Sequence, residues 1–261
     1  MRSDRFEVLF ATAALVVLGC GGGVAPSPPA GADVSGAGMA PADRRSMEKG
    51  DDGRGFAIVP RPAVVAGKTT LGWIPEYWRY LFSLPVGTNP ELNDSADCSV
   101  GQSGPVFFLP GEQHRVFTRT CTIPAHTPVL WTFQSLFNDY PCPDPTFQPA
   151  PGQTLEEFLA EGAKAFDDAI TNMAVTVDGT AIDPDRYRYL TRLFTFTGDP
   201  SLVAFDSCVT GTQQVAVVDG WFAMLRLSPG DHTLVTTYVN PGGHPTSATF
   251  LLHVLGEPGD D

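Results

Sequence analysis

The chain has 261 residues, of which 43% are apolar and only 17% charged, which excludes an intrinsically disordered protein and fits a packed globular one. A net charge of −13 with no Lys/Arg-rich stripe excludes nucleic acid as a partner, because phosphate binding needs clustered cations to displace counterions. The same acidity argues against adhesion to anionic lipid by charge and favours solubility.

Residues 1–19 read as a lipoprotein signal peptide. Arg2 and Arg5 open it, and an apolar run from Val8 to Leu18 follows that is too short to span a bilayer as a helix. The segment ends Val17-Leu18-Gly19-Cys20, which resembles a bacterial lipobox. The expectation is a diacylglyceryl-modified, palmitate-bearing Cys20 at the mature N-terminus, tethering the protein to a bacterial membrane. Gly21 stands where Asp would favour retention in the inner membrane, so the outer membrane is expected over the inner. From residue 20 to about residue 55 the chain is rich in Gly and Pro and almost free of large apolar side chains. As a flexible coil of about 35 residues it would act as a spacer of about 30 Å.

Residues 56–261 then form one β-rich globular domain of about 200 residues, large enough for a sizeable core. A first helix is expected over Pro75–Ser83, with Pro75 at its first position. Strands are expected at Val106–Leu109, Val116–Thr122 and Val129–Phe133. After a proline-dense loop, Thr154 and Glu157 make a capping box that opens a second helix running to about Ile170. Further strands follow at Met173–Val177, Arg192–Thr197, Gln214–Val218, Phe222–Leu227, Thr233–Val239 and Ala248–Leu255. Asp178-Gly179 and Ser228-Pro-Gly-Asp231 supply turns between them. The pattern predicts a mainly β fold, an antiparallel β-sandwich with two inserted or capping α-helices.

Five cysteines are present, an odd number for an exported protein. Lipidation of Cys20 leaves Cys98, Cys121, Cys142 and Cys208, which allow three pairings into two disulfides in an oxidising compartment. The favoured pairing is Cys98–Cys121 with Cys142–Cys208, because the first pair brackets a strand-turn-strand unit. Closing that loop is worth about 3 kcal/mol by the chain-entropy model.

Tyr77-Trp78, Ser83-Leu-Pro85, Asn89-Pro90, Cys98, the run from Gly101 to Leu109, Arg119-Thr-Cys121-Thr-Ile-Pro124 and the late Leu227-Ser-Pro-Gly-Asp-His-Thr233 together resemble a group of uncharacterised exported bacterial proteins. That group carries a tryptophan-rich helix before a C…GQxGPVWFL…RxCxxPxG pattern and an LSPGxHT turn. The resemblance covers about residues 73–126 and 221–233. Phe107 stands where Trp is usual and His126 where Gly is usual. It implies fold and location and carries no chemistry.

Catalytic motifs are lacking. Gly101-Gln-Ser-Gly-Pro105 misses a nucleophile elbow by its last residue. No zinc-spaced Cys/His set or phosphate loop occurs, and the five histidines are scattered, so neither metal nor cofactor is expected. His232, after a Pro-Gly-Asp turn, is expected to bond turn backbone. A glycan-binding face would need exposed aromatic planes beside polar groups; Trp73, Tyr77 and Trp78 with Glu76, Asn89 and Gln102 are the candidates, against burial of those rings in a core. Trp131 and Trp221 complete the tryptophans. Glu156, Glu157, Asp167 and Asp168 read as surface acids around the second helix. The functional expectation is an envelope lipoprotein whose domain binds a partner, glycan or other envelope component. One alternative is an envelope polysaccharide hydrolase using paired carboxylates among Glu76, Asp139 and Asp144; the other is a purely structural envelope protein.

Overall fold

The computed structural model describes residues 55–93, 95–111 and 115–256, all of them within one compact unit. Cys20, the signal peptide, the linker and His114 lie outside the described residues. The elements run β1 (Phe56–Ile58), α1 (Thr70–Ser83), β2 (Phe107–Leu109), β3 (Val116–Ile123), β4 (Val129–Tyr140), α2 (Leu155–Asp168), β5 (Thr171–Val177), β6 (Thr180–Ile182), β7 (Arg188–Leu190), β8 (Phe194–Thr197), β9 (Gln213–Leu227), β10 (Gly230–Val239) and β11 (Pro245–Val254). Two short 3₁₀ turns, Pro184–Tyr187 and Pro200–Ala204, bracket β7 and β8.

The strands form two sheets, as a sandwich requires. In the larger sheet β9 is the organising strand: β1, β4, β7 and β8 all pair with it antiparallel, and β2 adds to β4 in parallel. In the smaller sheet the order is β3-β11-β10-β5-β6, antiparallel except for the β3–β11 pair. The expected antiparallel sandwich therefore carries two parallel pairings, β2–β4 and β3–β11.

Alternation along β9 explains the layers. Ala216, Val218, Phe222 and Met224 face one side, toward a cluster with Trp73, Tyr77, Leu81 and Phe82 of α1. Trp221, Ala223 and Leu225 face the other, joining Trp131 and Phe133 of β4 and Leu234, Phe250 and Leu252 of the smaller sheet. A strand buried on both faces reads as a near-continuous apolar run, and the 15 residues of β9 do so. The sequence pattern splits β9 at Asp219-Gly220; the structure joins the two halves into one strand. β4 likewise runs on to Tyr140, through a bulge between Thr132 and Gln134.

Both helices pack on the larger sheet. α1 starts a full turn earlier than expected: Thr69 caps it by accepting from the Gly72 amide, and Pro75 sits inside the helix. Its carbonyl partner one turn back belongs to exposed Leu71, where water can satisfy it. α2 has the expected capping box, with Thr154 and Glu157 satisfying each other's backbone amides. The β5–β6 hairpin turns on Asp178 and Gly179, both at positive φ, as a type I′ turn demands. His126 also adopts a positive φ of 56°, a conformation that glycine takes without strain. Cys98 bonds Cys121 and Cys142 bonds Cys208, the favoured pairing.

Candidate functional site

The aromatic candidates are core. Trp73, Tyr77 and Trp78 are 7%, 1% and 8% exposed, and Trp131 and Trp221 are no more open. Tyr77 meets Trp78, Phe108 and Phe222 edge-on, and the Trp73 indole N–H donates to the Val65 carbonyl at 2.8 Å. An exposed aromatic platform is not what these rings form. They are the apolar face of α1, and the sheet beneath covers it.

The polar candidates hold that same joint together. Buried Asn89 donates to the Leu81 carbonyl at the end of α1 and accepts from the Glu91 amide. Gln102 substitutes for a missing strand neighbour: its amide donates to the Phe108 carbonyl at 2.6 Å and accepts from the Phe108 amide at 3.1 Å, closing the edge of β2. Glu76 bridges Lys68 and Arg79; partial burial pushes its carboxyl up, but the two cations outweigh this and leave it below its ordinary value. His232, as expected, is buried, with one ring nitrogen bonded to the Ser228 carbonyl and the other to the Asp178 carboxylate.

The acids divide sharply. Asp144 is exposed and spends its carboxylate on the Thr146 amide and hydroxyl, which hold its pKa below the usual value. Asp139 is 4% exposed, at the end of β4. Burial and the nearby Asp206 carboxyl push it well above the carboxylate range. Its described hydrogen bond is a long one, 3.4 Å from the Gln214 side-chain amide, which also donates to the Cys208 carbonyl at 2.8 Å. Asp139 thus has the raised pKa that acid catalysis needs, but it faces the interior and not a solvent cleft. Its Asp144 neighbour in sequence points to water. An atom of Asp139 and the sulfurs of Cys142 and Cys208 lie within 4.8 Å of one another, but the disulfide removes both sulfurs as metal-ligating thiolates.

A second polar group occupies the seam between α2, β7 and β9. Arg188 forks onto Asp219, with Nε at 3.1 Å from Oδ2, and reaches Asp168 at 2.6 Å while stacking over the Trp221 ring. Asp167, expected at the surface, is 1% exposed, and neither of its oxygens makes a hydrogen bond within normal geometry. The helical period places it on the same side as Leu159 and Ala163, so it turns inward with the apolar face of α2. Burial, aided by the Asp219 charge and opposed by Arg188, pushes its carboxyl up to about 8. Removing Arg188 (Arg188→Ala) strands the buried Asp219 charge and should cost about 3–5 kcal/mol in urea unfolding at pH 7; Arg188→Lys should retain part of that.

A depression of about 340 Å³ runs along the outside of α2 between Glu157, Glu161, Lys164 and Asp168, with mixed charges and no convergent groups. The outer face of the smaller sheet offers a different kind of surface. Because β3, β10 and β11 bury alternate residues, the others form rows across the strands. Thr118, Thr249, Val235, Thr176 and Ala181 make one row, and Thr120, Leu251 and Thr233 another. Thr118, Thr120, Thr122 and Leu251 are exposed. The two ionisable residues at its end, Asp231 and His253, bond each other at 2.7 Å.

Sequence reasoning passed over Arg188, Asp206, Gln214 and Asp219. One signal was available: an acid inside the apolar run Val217-Val218-Asp219-Gly220-Trp221 can be buried only with a partner. Compared with family models, curated proteins and solved structures, the chain matches none.

Proposed function

We propose that the chain is a lipid-anchored envelope protein whose domain is a binding module, with the outer face of the smaller sheet as its contact surface. The observation that carries this is the asymmetry of the two sheets. The larger has both faces covered, by the helices and by its partner sheet, whereas the smaller buries one face only. The open face is broad, and threonines with small apolar side chains dominate it. Hydroxyls offer hydrogen bonds in both directions and the methyl groups offer apolar contact, without a cation to select phosphate or carboxylate. An uncharged envelope glycan or a protein surface of low charge fits that chemistry, and the net charge of −13 disfavours an anionic one. The two disulfides accord with an oxidising, non-cytoplasmic compartment. The Cys20 tether would hold the domain at the envelope.

The test is retention of the full chain on glycan arrays and solubilised envelope fractions. Binding should occur, should fall at least about tenfold in a Thr120→Arg, Thr249→Arg double variant, where two desolvated charges oppose the contact, and should survive Lys164→Glu on the far side of α2. Absence of retention on every fraction, or retention indifferent to the double variant, removes this reading.

A further inference from the structure

The two disulfides sit in opposite environments. Cys98 and Cys121 are both 2% exposed and join the apolar cluster between the sheets. Cys142 is half-exposed, in a loop between exposed Pro141 and Pro143, while its partner Cys208 is 4% exposed. Beside this bond lies the buried carboxyl of Asp139. Asp139 Oδ2 accepts a long hydrogen bond from Gln214 at 3.4 Å, whereas Asp206 accepts from the Cys208 amide at 2.9 Å. A buried carboxyl with a weak partner destabilises a fold, so Asp139 against a disulfide calls for an explanation.

We infer that Cys142–Cys208 is an exchangeable disulfide, opened by a dithiol at Cys142, with Asp139 as the acid that protonates the departing Cys208 sulfur. This goes beyond the binding role and does not depend on it. Cys142 is the more exposed partner of the bond, so it is the side that an attacking thiolate reaches first. Its attack forms a mixed disulfide with Cys142 and breaks the bond to Cys208, whose sulfur leaves carrying the electron pair. A thiolate in that buried position is unfavourable. The proton of the Asp139 carboxyl, inside the same 4.8 Å cluster, converts it to a thiol and leaves Asp139 as carboxylate. The second thiol of the reductant then attacks the mixed disulfide and releases Cys142, and solvent returns a proton to Asp139. The dithiol is oxidised to a disulfide and the protein bond is reduced, with two electrons and two protons transferred. In reverse, the Asp139 carboxylate takes the Cys208 proton and generates the nucleophile that closes the bond.

The ionisable group bearing on Asp139 is Asp206; Gln214 from β9 and the Pro141 carbonyl are neutral neighbours. Burial, aided by the Asp206 carboxyl, pushes Asp139 up to about 8, so the acid is loaded near neutrality; burial raises Asp206 as well. The experiment is timed reduction of the full chain by dithiothreitol from pH 6 to 9, with acid quench, alkylation and peptide mass spectrometry. Rates are corrected for the thiolate fraction of the reductant. Cys142–Cys208 should open at least about tenfold faster than Cys98–Cys121, and its corrected rate should fall as the pH rises past neutrality and Asp139 loses its proton. In Asp139→Asn the corrected rate at pH 7 should drop on the order of 10²-fold, the size expected of general acid catalysis, and the pH dependence should vanish while Cys98–Cys121 is unaffected. Equal opening rates for the two bonds in the unaltered protein, or a flat corrected rate from pH 6 to 9, overturn the inference without recourse to any variant. An unchanged rate in folded Asp139→Asn does so as well.

Discussion

Replacing Gly220 with alanine should cost 3 kcal/mol or more, on the order of the upper limit for overpacking. Gly220 lies in β9 opposite Ser135, next to the bulge in β4. A methyl group there would stand 2.2 Å from Ser135 Cβ and 2.6 Å from both the Ser135 Cα and the Gln134 carbonyl oxygen. Two of these three atoms are backbone, held in the longest ladder of the larger sheet, so no side chain can move aside. The backbone also has φ of +155°, which L side chains rarely adopt. Relief requires β4 and β9 to separate at the point where they join the apolar cluster under α1 to the one between the sheets. Gly87→Ala is the control: nothing lies within 4 Å of its added carbon, and stability there should stay within about 0.5 kcal/mol of the parent. Urea unfolding of the two variants at one pH separates the outcomes; equal midpoints would show that the β4–β9 contact tolerates a wider spacing.

The second large effect is on pH. Asp167 is raised to about 8 in the fold by burial and by Asp219, and an unfolded aspartate titrates near 3.9. The native state therefore holds a proton that the unfolded chain has released throughout that window. Stability contributed by this group is full below about pH 4, declines as pH rises, and is gone above about pH 8. At about 1.4 kcal/mol per pH unit, the loss between pH 4 and 7 is on the order of 4 kcal/mol. Asp139 and Asp206, both raised by burial, act in the same direction. Glu76, Asp97, Asp144, Glu156, Glu157 and Asp199 are lowered by their partners, and they oppose the trend only as pH falls toward their own titration. Maximum stability is expected in mildly acid solution. Asp167→Asn should flatten the slope and raise the unfolding midpoint at pH 8, while leaving the midpoint near pH 4 little changed. A parent protein whose urea midpoint rises from pH 5 to pH 8 would contradict this account.

Much of the architecture was legible because it is written in local chemistry. The Thr154–Glu157 box, the Asp178-Gly179 turn and the alternation in β10 and β11 each act within a few residues. Failures came where distant groups decide. β7 is three residues long and exists because β9 offers it an edge. The start of α1 was obscured because Gly72 stands where a capping box would place an acid, and because Pro75 imitates a first helical residue. The site residues were harder still. Asp139 was noticed, but its relation to Asp206 and Gln214 spans segments 67 and 75 residues away, and Asp167 looked like a surface acid because its burial depends on a sheet that the helix sequence does not mention. The exposed-aromatic idea failed for a related reason: an aromatic stripe at helical spacing looks the same whether water or a sheet lies opposite.

β11, residues 245–254, is the central partner of both β3 and β10, and β3 has no other strand beside it among the described residues. Completion of the smaller sheet must therefore await the segment of residues 245–254. A growing polypeptide lacking it leaves one flank of the smaller sheet unzipped, and the pairing it then makes reaches back 131 residues, from Ser247 to Val116, a long loop to close. Chains that stop short of residue 245 should stay protease-sensitive, and chains that include residues 245–254 should resist cleavage.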